Sequence, residues 1–390
     1  MRGSDAKQGT GAPNEVPGAP VPIVLVVREL GSGGIERDVA KLALGIDKNR
    51  FACHVAAYQT EGVRADELRA AGVSLMRLDV PNLKSPRALR SAAKFSRFLH
   101  RNHIRIVHAW DASAVFVVPL ARLNRVPVAL LSTLGYRDLL DARTQSQFRF
   151  TDRFVDAIVV NCEAMRKHLM TDYSIPRERI ELCRNGVNTS EFYPADTPKP
   201  EPVRGAPLVV GAVSVLRVEK NLGLLQEAFA NSAGLPRGSK LLIVGSGPEL
   251  PKLQANCRRL GIEDASVFVP AVPDVAPYLR AIDIFVSCSY SEAFSNSLLE
   301  AMACGCCVIG SRVGGTPELI ADGERGLLFE SGNSDELTRK ITMVVGDAQL
   351  RHRLAVNAAD FAARELNMNR AVQCMSGIYE SMLRRRGALT

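Results

Sequence analysis

Short apolar runs alternate with amphipathic segments along most of the chain. Residues 23–27, 208–214 and 241–244 are rich in Val, Ile and Leu, and each run leads into a turn with glycine or basic residues. Continuous apolar runs of this length are typical of strands that a parallel sheet buries on both faces. Strands that alternate with helices favour an α/β fold. We therefore predict α/β units with largely parallel sheets, which bind ligands at the carboxyl ends of their strands.

The length of the chain and a proline-rich stretch predict two domains. The chain has 390 residues, which suffices for two cores of ordinary size. Proline and charged residues are concentrated in residues 195–207, so we predict a linker there. The first domain then covers residues 21–194 and the second covers residues 208–368. Residues 1–20 contain few apolar side chains, and we expect a disordered leader.

The composition favours a cytoplasmic protein. The chain lacks an apolar run of about 18 residues, and the leader lacks the apolar core of a signal peptide, so we expect no transmembrane helix and no secretion. The nine cysteines fit a reducing compartment. Cys304, Cys306 and Cys307 have neither a Cys-x-x-Cys spacing nor a neighbouring His. We expect them to be small buried hydrophobes rather than metal ligands.

Part of the net charge of +8 lies on one predicted helix, residues 87–101, where basic side chains recur at helical spacing. Such a face is usually the solvated side of a helix that packs on a sheet. The alternative is docking on an acidic membrane surface. We expect no nucleic-acid binding, because only 6% of the residues are aromatic and no recognition module is present.

The most informative stretch for function is residues 291–305. Glu292 lies in a polar loop after a predicted strand, and Glu300 lies inside a short helix that starts at Asn296 and stops at Gly305. Free amides at the start of a helix can bind a phosphate. Carboxylates on either side of that phosphate can accept hydrogen bonds from hydroxyl groups. A sugar nucleotide has this order of groups: sugar hydroxyls, diphosphate and ribose hydroxyls.

From Glu292 to Glu300 and on to Gly305, the sequence resembles the E-x7-E signature of the retaining glycosyltransferases of family 4 (group 1), which have the GT-B fold. Residues 308–320 resemble the next strand and glycine turn of that family. The resemblance covers about residues 22–380 and implies two Rossmann-like domains that face each other across a cleft. It also implies that a C-terminal helix, residues 369–388, crosses back to complete the first domain.

The resemblance implies a donor site that both domains form. Lys220 stands where the family has a lysine on the donor phosphates, and Arg217 could replace the family arginine that is Val215 here. The alternatives are an ordinary solvated loop around Arg217 and Lys220, and a simple tight turn at Gly33. The donor-binding residues are expected to be Gly33, Gly34, Arg217, Lys220, Val272, Phe294, Ser295, Asn296, Ser297 and Glu300.

The acceptor side departs from the family pattern, because the histidine that the family often carries near residues 130–138 is missing. We expect acceptor contacts from the residues at two predicted strand ends: Trp110, Asp111, Tyr136 and Arg137. Trp110 can stack on an acceptor sugar or simply pack in the core. His108 is expected to be structural.

These features predict a hexosyltransferase that moves sugar from a UDP- or GDP-sugar to a saccharide or lipid-linked acceptor, with retention, in polysaccharide or envelope glycan synthesis. Glu292, Lys220 and Arg217 are the predicted catalytic residues. Lys220, Arg217 and the helix amides would stabilise the leaving diphosphate. Glu292 would hold the sugar hydroxyls and Glu300 the ribose hydroxyls. The chain contains no Asp-x-Asp motif, so we expect no metal and no cofactor.

Other activities of the same fold stay open. An epimerase of sugar nucleotides would need no acceptor, and a phosphorylase would carry a cofactor lysine that the sequence does not show. The missing histidine also admits a catalytically inactive scaffold that binds a nucleotide. An oxidoreductase is disfavoured, because the glycine turn at residues 31–34 lacks the G-x-G-x-x-G pattern.

Overall fold

The structure, a computed structural model, describes residues 19–31, 33–80, 82 and 84–388. Over these residues the chain forms two parallel sheets with helices packed on their faces, which confirms the predicted α/β class. The strands are β1 Val21–Val27, β2 Phe51–Ala57, β3 Ser74–Arg77, β4 Ile106–Trp110, β5 Val128–Ser132, β6 Ala157–Val160, β7 Ile180–Leu182, β8 Val209–Val213, β9 Lys240–Val244, β10 Ser266–Val269, β11 Ile284–Ser287, β12 Cys307–Ser311 and β13 Leu327–Phe329. The helices are α1 Gly34–Gly45, α2 Val63–Ala70, α3 Pro86–Arg101, α4 Ala114–Leu123, α5 Ala142–Thr151, α6 Glu163–Asp172, α7 Leu222–Asn231, α8 Leu250–Leu260, α9 Ala276–Ala281, α10 Asn296–Ala303, α11 Thr316–Ile320, α12 Ser334–Gly346, α13 Ala348–Glu365 and α14 Met368–Arg385.

The first sheet has the strand order β3-β2-β1-β4-β5-β6-β7, and every neighbouring pair is parallel. Its central strands are buried on both sides, so their sequences are apolar throughout rather than alternating. Leu25 of β1, for example, lies opposite Val55 of β2 and His108 of β4. Leu25 belongs to one core layer and its neighbour Val26 to the other.

The second sheet has the order β10-β9-β8-β11-β12-β13, again with parallel pairs only. In both sheets the chain starts in the middle, builds outward to one edge and then returns to build the other edge. The strand order therefore reverses next to β1 in the first sheet and next to β8 in the second. Loops that follow the strands at such a reversal point leave a crevice where ligands bind.

Helix α14 belongs to the core of the first sheet although it follows the second sheet in sequence. Val372, Met375 and Tyr379 are buried in the layer that also contains α1. The Tyr379 ring meets Phe51 edge-on with centroids 5.7 Å apart. The hydroxyl group of Tyr379 lies 2.8 Å from His108 Nδ1. This helix therefore contacts β4, the strand that ends at Trp110 and leads into Asp111.

The chain passes between the two domains at two places, and these crossings lie side by side. The amide of Val187 donates to Leu366 O at 2.8 Å, and the amide of Met368 donates to Val187 O at 2.9 Å. A Cβ atom on Gly186 would lie 2.8 Å from Met368 Cα, so glycine permits this close approach. These hydrogen bonds hold the two crossings together, and we call the paired residues Gly186–Val187 and Leu366–Met368 the hinge segment.

Several sequence-based expectations concern the rest of the chain. The predicted leader, residues 1–20, lies outside the described residues except for its last two. Cys304, Cys306 and Cys307 are buried, as predicted. Helix α3 packs Phe95 inward and leaves Leu89 exposed on its outer side. Within the described part of the chain, no helix is both long enough and apolar enough to cross a membrane.

Candidate functional site

The start of helix α10 lies in a crevice beside the carboxyl ends of β8 and β11. Ser295 caps the helix, because its hydroxyl accepts a hydrogen bond from the amide of Leu298 at 3.3 Å. The helix begins at Asn296 and the chain turns at Gly305 with a φ of 83°, as the sequence predicted. Ser295 and Ser297 line the crevice, so free amides of the first helical turn are available at its edge.

Lys220 and Glu292 meet in this crevice. Lys220 ends the short 3-10 turn Val218–Lys220 that follows β8, and Glu292 lies in the loop after β11. Lys220 Nζ donates to Glu292 Oε2 at 2.5 Å, and Ser289 Oγ lies 3.4 Å from the same oxygen. Both side chains keep some contact with solvent. The structure thus brings a cation, a carboxylate and a helix N-terminus to one place.

A glycine turn holds the Glu292 loop in position. Gly314 has a φ of +49°, and a Cβ atom on it would lie 1.6 Å from Glu292 O. The adjacent Gly315 donates its amide to Ala293 O at 2.7 Å, and its Cβ atom would lie 2.4 Å from that oxygen. A side chain at either position would push the Glu292 loop away.

Arg217 and Val272, which the sequence also assigned to the donor site, lie outside the Lys220–Glu292 crevice. The Arg217 side chain is 62% exposed, and Arg217 Nη1 lies 3.9 Å from the carboxylate of Glu219. It does not line the crevice. Val272 is partly buried in the loop after β10.

Glu300 is buried on α10 and faces two basic side chains of the first domain. Its Oε1 lies 2.8 Å from Arg37 Nη1 and 4.0 Å from Lys41 Nζ, both on α1. Burial raises the pKa of Glu300, while Arg37 and Lys41 oppose that rise. Burial also lowers the pKa of Lys41. The sequence-based list of site residues includes neither Arg37 nor Lys41, although their spacing of four places them on one face of a helix.

A second polar contact joins the domains next to this pair. Asn296 Nδ2 donates to Asp38 Oδ1 at 3.2 Å, and Asn185 Nδ2 donates to Asp38 Oδ2 at 3.1 Å and to Asn296 Oδ1 at 3.0 Å. Burial raises the pKa of Asp38. The predicted glycine turn lies here too, because a Cβ atom on Gly34 would lie 3.7 Å from Asn296 Nδ2. The turn and the start of α10 therefore face each other.

The glycine turn also depends on its small residues. A Cβ atom on Gly33 would lie 2.1 Å from Glu36 Oε2, so a larger residue would displace the Glu36 side chain. Burial raises the pKa of Glu36, and Glu29 and Asp38 add to that rise. Glu36 and Asp38 thus place two acidic groups next to the turn that the sequence assigned to phosphate binding.

Trp110 is 4% exposed and packs on His108, with ring centroids 3.8 Å apart. This geometry favours the packing alternative for Trp110, although its ring forms part of the wall of a cavity that Asp38 and Lys41 also line. His108 lies between the hydroxyl groups of Tyr379 and Ser132, at 2.8 and 2.9 Å. Burial lowers the pKa of His108 to about 3, which fits the structural role expected for it.

Asp111 and Tyr136, which the sequence assigned to acceptor contact, follow β4 and β5 of the first domain. Asp111 has a φ of 45°, which is unusual for a residue with a side chain. Its carboxylate accepts a hydrogen bond from the amide of Leu134 at 3.4 Å, and burial raises the pKa of Asp111 to about 6. Tyr136 is half-buried, and its hydroxyl lies 3.3 Å from where a Cβ atom on Gly314 would be. Tyr136 therefore faces the turn that holds Glu292.

Arg137 is buried inside the first domain. It is 1% exposed, and its guanidinium donates to both oxygens of Asp152, at 2.6 and 2.9 Å. The guanidinium carbon also lies 4.7 Å from the centre of the Phe148 ring. We correct the sequence-based assignment of Arg137 to acceptor contact, because its guanidinium is paired with Asp152 in the core. No local pattern in the sequence identifies Asp152 as its partner.

One group of side chains in the described part of the chain could hold a cation: Asp138, His168 and Asp172, with ligand atoms within 4.8 Å of one another. His168 Nδ1 lies 2.7 Å from Asp172 Oδ2, one helical turn away on α6, which is an ordinary pair on a helix. The group belongs to the first domain, whereas the Lys220–Glu292 crevice belongs to the second.

Two protein-family models match the chain: glycosyltransferase family 4 over residues 32–191 and glycosyl transferases group 1 over residues 195–361. A lipopolysaccharide core biosynthesis glycosyltransferase of Rhizobium meliloti, LpsE, is 30% identical over 67% of this chain and 72% of its own length. The N-acetyl-alpha-D-glucosaminyl L-malate synthase of Bacillus anthracis is 25% identical over 77% of this chain and 80% of its own.

Other relatives are matched over a shorter stretch. The D-inositol 3-phosphate glycosyltransferase of Stackebrandtia nassauensis is 31% identical over 59% of this chain, which spans just over half (55%) of that relative. Among solved structures, Anabaena HepE in complex with UDP and glucose superposes with a TM-score of 0.83 at 20% identity, over 93% of this chain and 100% of that one. A glycosyltransferase from Rickettsia africae superposes with a TM-score of 0.80 at 20% identity, over 93% and 99% of the two chains. These likenesses confirm the GT-B fold.

Proposed function

Because the chain belongs to the family 4, group 1 glycosyltransferases, we propose that it moves a sugar from a nucleotide-diphospho-sugar to a saccharide or lipid-linked acceptor with retention of configuration. The observation that carries this proposal is the contact of Lys220 Nζ with Glu292 Oε2 at 2.5 Å, in a crevice that the start of α10 also lines. A cation and free amides suit a diphosphate, and a carboxylate suits sugar hydroxyls.

The main chemical task in such a transfer is to stabilise the negative charge that develops on the leaving diphosphate. Lys220 and the first amides of α10 would do so, because both lie at the crevice that would receive the diphosphate. The donor would part Lys220 from Glu292, with the ammonium going to the diphosphate and the carboxylate to the sugar. The proposed chemistry needs no metal ion at this crevice.

Glu300 would bind the ribose hydroxyls from the middle of α10. Its carboxylate is held by Arg37 and Lys41, so donor binding would draw on residues of both domains. The hydrogen bonds of Asn296 with Asp38 and Asn185 also join α10 to the first domain. Closure of the cleft around the donor would exclude water and limit hydrolysis.

The acceptor would enter past Asp111 and Tyr136. The sequence shows no convincing nucleophile on this side, and the carboxylate of Asp111 is buried and accepts a hydrogen bond from the amide of Leu134. We therefore favour attack from the face of the leaving group, with the diphosphate helping to take the acceptor proton. Retention follows from that geometry, because the acceptor attacks from the same face of the sugar that the diphosphate leaves.

We also propose polysaccharide or envelope glycan synthesis at the cytoplasmic face of a membrane. The relative from Rhizobium meliloti is named for lipopolysaccharide core biosynthesis. Helix α3 would provide the membrane-contacting surface, because the side chains of Arg87 and Leu89 on its outer side are 65% and 73% exposed. Basic and apolar groups together can bind an anionic lipid surface.

Thermal-shift measurements with UDP- and GDP-sugars, with and without EDTA, test the donor site. We expect one nucleotide class to raise the melting temperature of the wild type, equally with EDTA, and to have no effect on Lys220→Ala. The control is Lys252→Ala, because Lys252 lies on α8 with its side chain 78% exposed. No shift with any sugar nucleotide, or a shift that Lys220→Ala retains, would overturn the donor site.

The stereochemistry needs a separate measurement. With an identified donor and acceptor, proton NMR of the first product formed reports the anomeric configuration directly. An α-linked donor should yield an α-linked product. A β-linked product would exclude retention while leaving the donor site intact, and free or isomerised sugar formed without acceptor would instead support an epimerase.

A further inference from the structure

Two cysteines from distant parts of the chain meet beside the hinge segment. Cys183 directly follows β7, and Cys374 lies on α14. Cys183 Sγ donates to Ala371 O at 3.5 Å, and Cys374 Sγ donates to Leu182 O at 3.5 Å. Each thiol therefore contacts the segment that carries the other, which places the two side chains next to each other.

The two thiols differ in environment. Cys374 is exposed, whereas Cys183 is 8% exposed. The neighbouring thiol of Cys183 lowers the pKa of Cys374 to about 7, whereas the proximity of Cys374 and burial raise the pKa of Cys183. Among the other cysteines, by contrast, burial raises the pKa in every case: Cys53, Cys162, Cys257, Cys288, Cys304, Cys306 and Cys307.

We propose that Cys183 and Cys374 are a redox-active pair, in which the thiolate of Cys374 attacks hydrogen peroxide and the thiol of Cys183 resolves the resulting sulfenic acid into a disulfide. The thiolate of Cys374 attacks one oxygen of the peroxide, the O–O bond breaks, and hydroxide leaves. Cys374 is then a sulfenic acid. The Cys183 sulfur attacks the Cys374 sulfur, the S–O bond breaks, and the proton of Cys183 leaves with the hydroxyl group as water.

The position of the pair decides what the disulfide does. Cys183 precedes the first crossing at Val187, and Cys374 follows the second crossing at Met368. A bond between them closes a loop that contains the whole second domain, and it fastens the two crossings to each other. The oxidised protein should therefore melt at a higher temperature than the reduced protein. Movement at the hinge segment should be restricted at the same time.

Peptide mapping after peroxide treatment tests the pair in the full-length protein. Purified wild type is reduced, freed of reductant, treated with hydrogen peroxide and digested without reduction. We expect the protein to lose two hydrogen atoms and to give a linked peptide that contains Cys183 and Cys374. A linked peptide from another pair, or oxidation of Cys374 to a sulfinic acid with no link, would overturn the proposal.

Variants separate the two roles, and the wild-type result does not depend on them. Cys374→Ser should stay unlinked and carry no sulfenic acid. Cys183→Ser should keep a sulfenic acid on Cys374, which a dimedone label detects, because no thiol resolves it. Cys53→Ser is the matched control and should form the linked peptide like the wild type. Equal labelling of the Cys374→Ser and Cys183→Ser variants would contradict the assigned roles.

Discussion

Arg37 of α1 and Glu300 of α10 form an ion pair of 2.8 Å that joins the two domains. The Glu300 side chain is 3% exposed and that of Arg37 is 21% exposed, so the pair is largely shielded from solvent. Glu300 is also the second carboxylate of the E-x7-E motif. One residue thus takes part both in the contact between domains and in the proposed donor site.

Arg37→Ala should destabilise the protein, because it leaves the buried carboxylate of Glu300 with only Lys41 at 4.0 Å. Removing one partner of a buried ion pair costs about 3 kcal/mol, and we expect a melting temperature lower by several degrees. The control is Arg64→Ala on α2, whose partner Glu67 is 39% exposed. Equal losses in the two variants, measured by differential scanning calorimetry, would show that Glu300 does not depend on Arg37.

Gly314→Ala should abolish donor binding with little effect on the rest of the fold. Gly314 combines a positive φ with a predicted collision of 1.6 Å between its added Cβ atom and Glu292 O, so the Glu292 loop must move. Gly323→Ala is the matched control, because Gly323 has a φ of +78° but open space around it. Both variants are strained, but only Gly314→Ala should lose the thermal shift with a sugar nucleotide. If both retain it, the glycine turn does not position Glu292.

Arg137→Ala should act on stability rather than on the acceptor. It leaves Asp152 as an unpaired buried carboxylate, and we expect a loss of about 3–5 kcal/mol in the free energy of unfolding. The control is Arg143→Ala, because Arg143 is exposed on α5. The double variant Arg137→Met with Asp152→Leu should recover part of the loss in urea unfolding. A large rise in the acceptor KM with unchanged stability would restore Arg137 to the acceptor site.

Asp111 should make the stability depend on pH. Its pKa is about 6 in the folded protein and 3.8 ordinarily, so the folded state binds a proton more tightly than the unfolded state does. The contribution of Asp111 to stability is therefore greatest below about pH 4, falls as the pH rises to about 6, and stays low above that.

Asp111→Asn should remove this dependence. Relative to wild type, the variant gains stability at pH 7.5, by about 3 kcal/mol at most, and the gain shrinks as the pH falls towards 4. The lowered pKa of His108 also destabilises the folded state in acid. Because His108 is present in both proteins, its effect cancels when their stabilities are subtracted. Urea unfolding at pH 5 and pH 7.5 measures the effect. A difference between variant and wild type that is the same at both pH values would contradict it.

Local patterns predicted the elements that carry the site. The start of α10 at Asn296 follows from a capping serine and a run of helix formers, and the turn at Gly305 follows from the only residue type that adopts a positive φ without strain. The strand order and the contact of Lys220 with Glu292 needed more than local signals. The family resemblance supplied roles for Lys220 and Glu292, but neither the strand order nor the contact between the two side chains.

The contacts between domains could not be derived from the sequence. Arg37 and Glu300 are far apart in the chain, and their approach depends on how the two domains close. Arg137 shows the same limit within one domain, since a loop arginine beside Tyr136 reads as exposed until the fold brings Asp152 to it. Trp110 was ambiguous for another reason. The alternation along β4 decides which side of the sheet its ring occupies, and His108 fixes it there.

Helix α14 has a consequence for how the protein is made. The strands of the first sheet are synthesised early, but the layer that covers β1 and β4 also needs Val372, Tyr379 and Leu383, which are synthesised after the second sheet. His108 lacks one of its two hydrogen-bond partners until Tyr379 arrives. The second sheet can complete its core while the first still waits. The half that is translated first is therefore the half that finishes folding last.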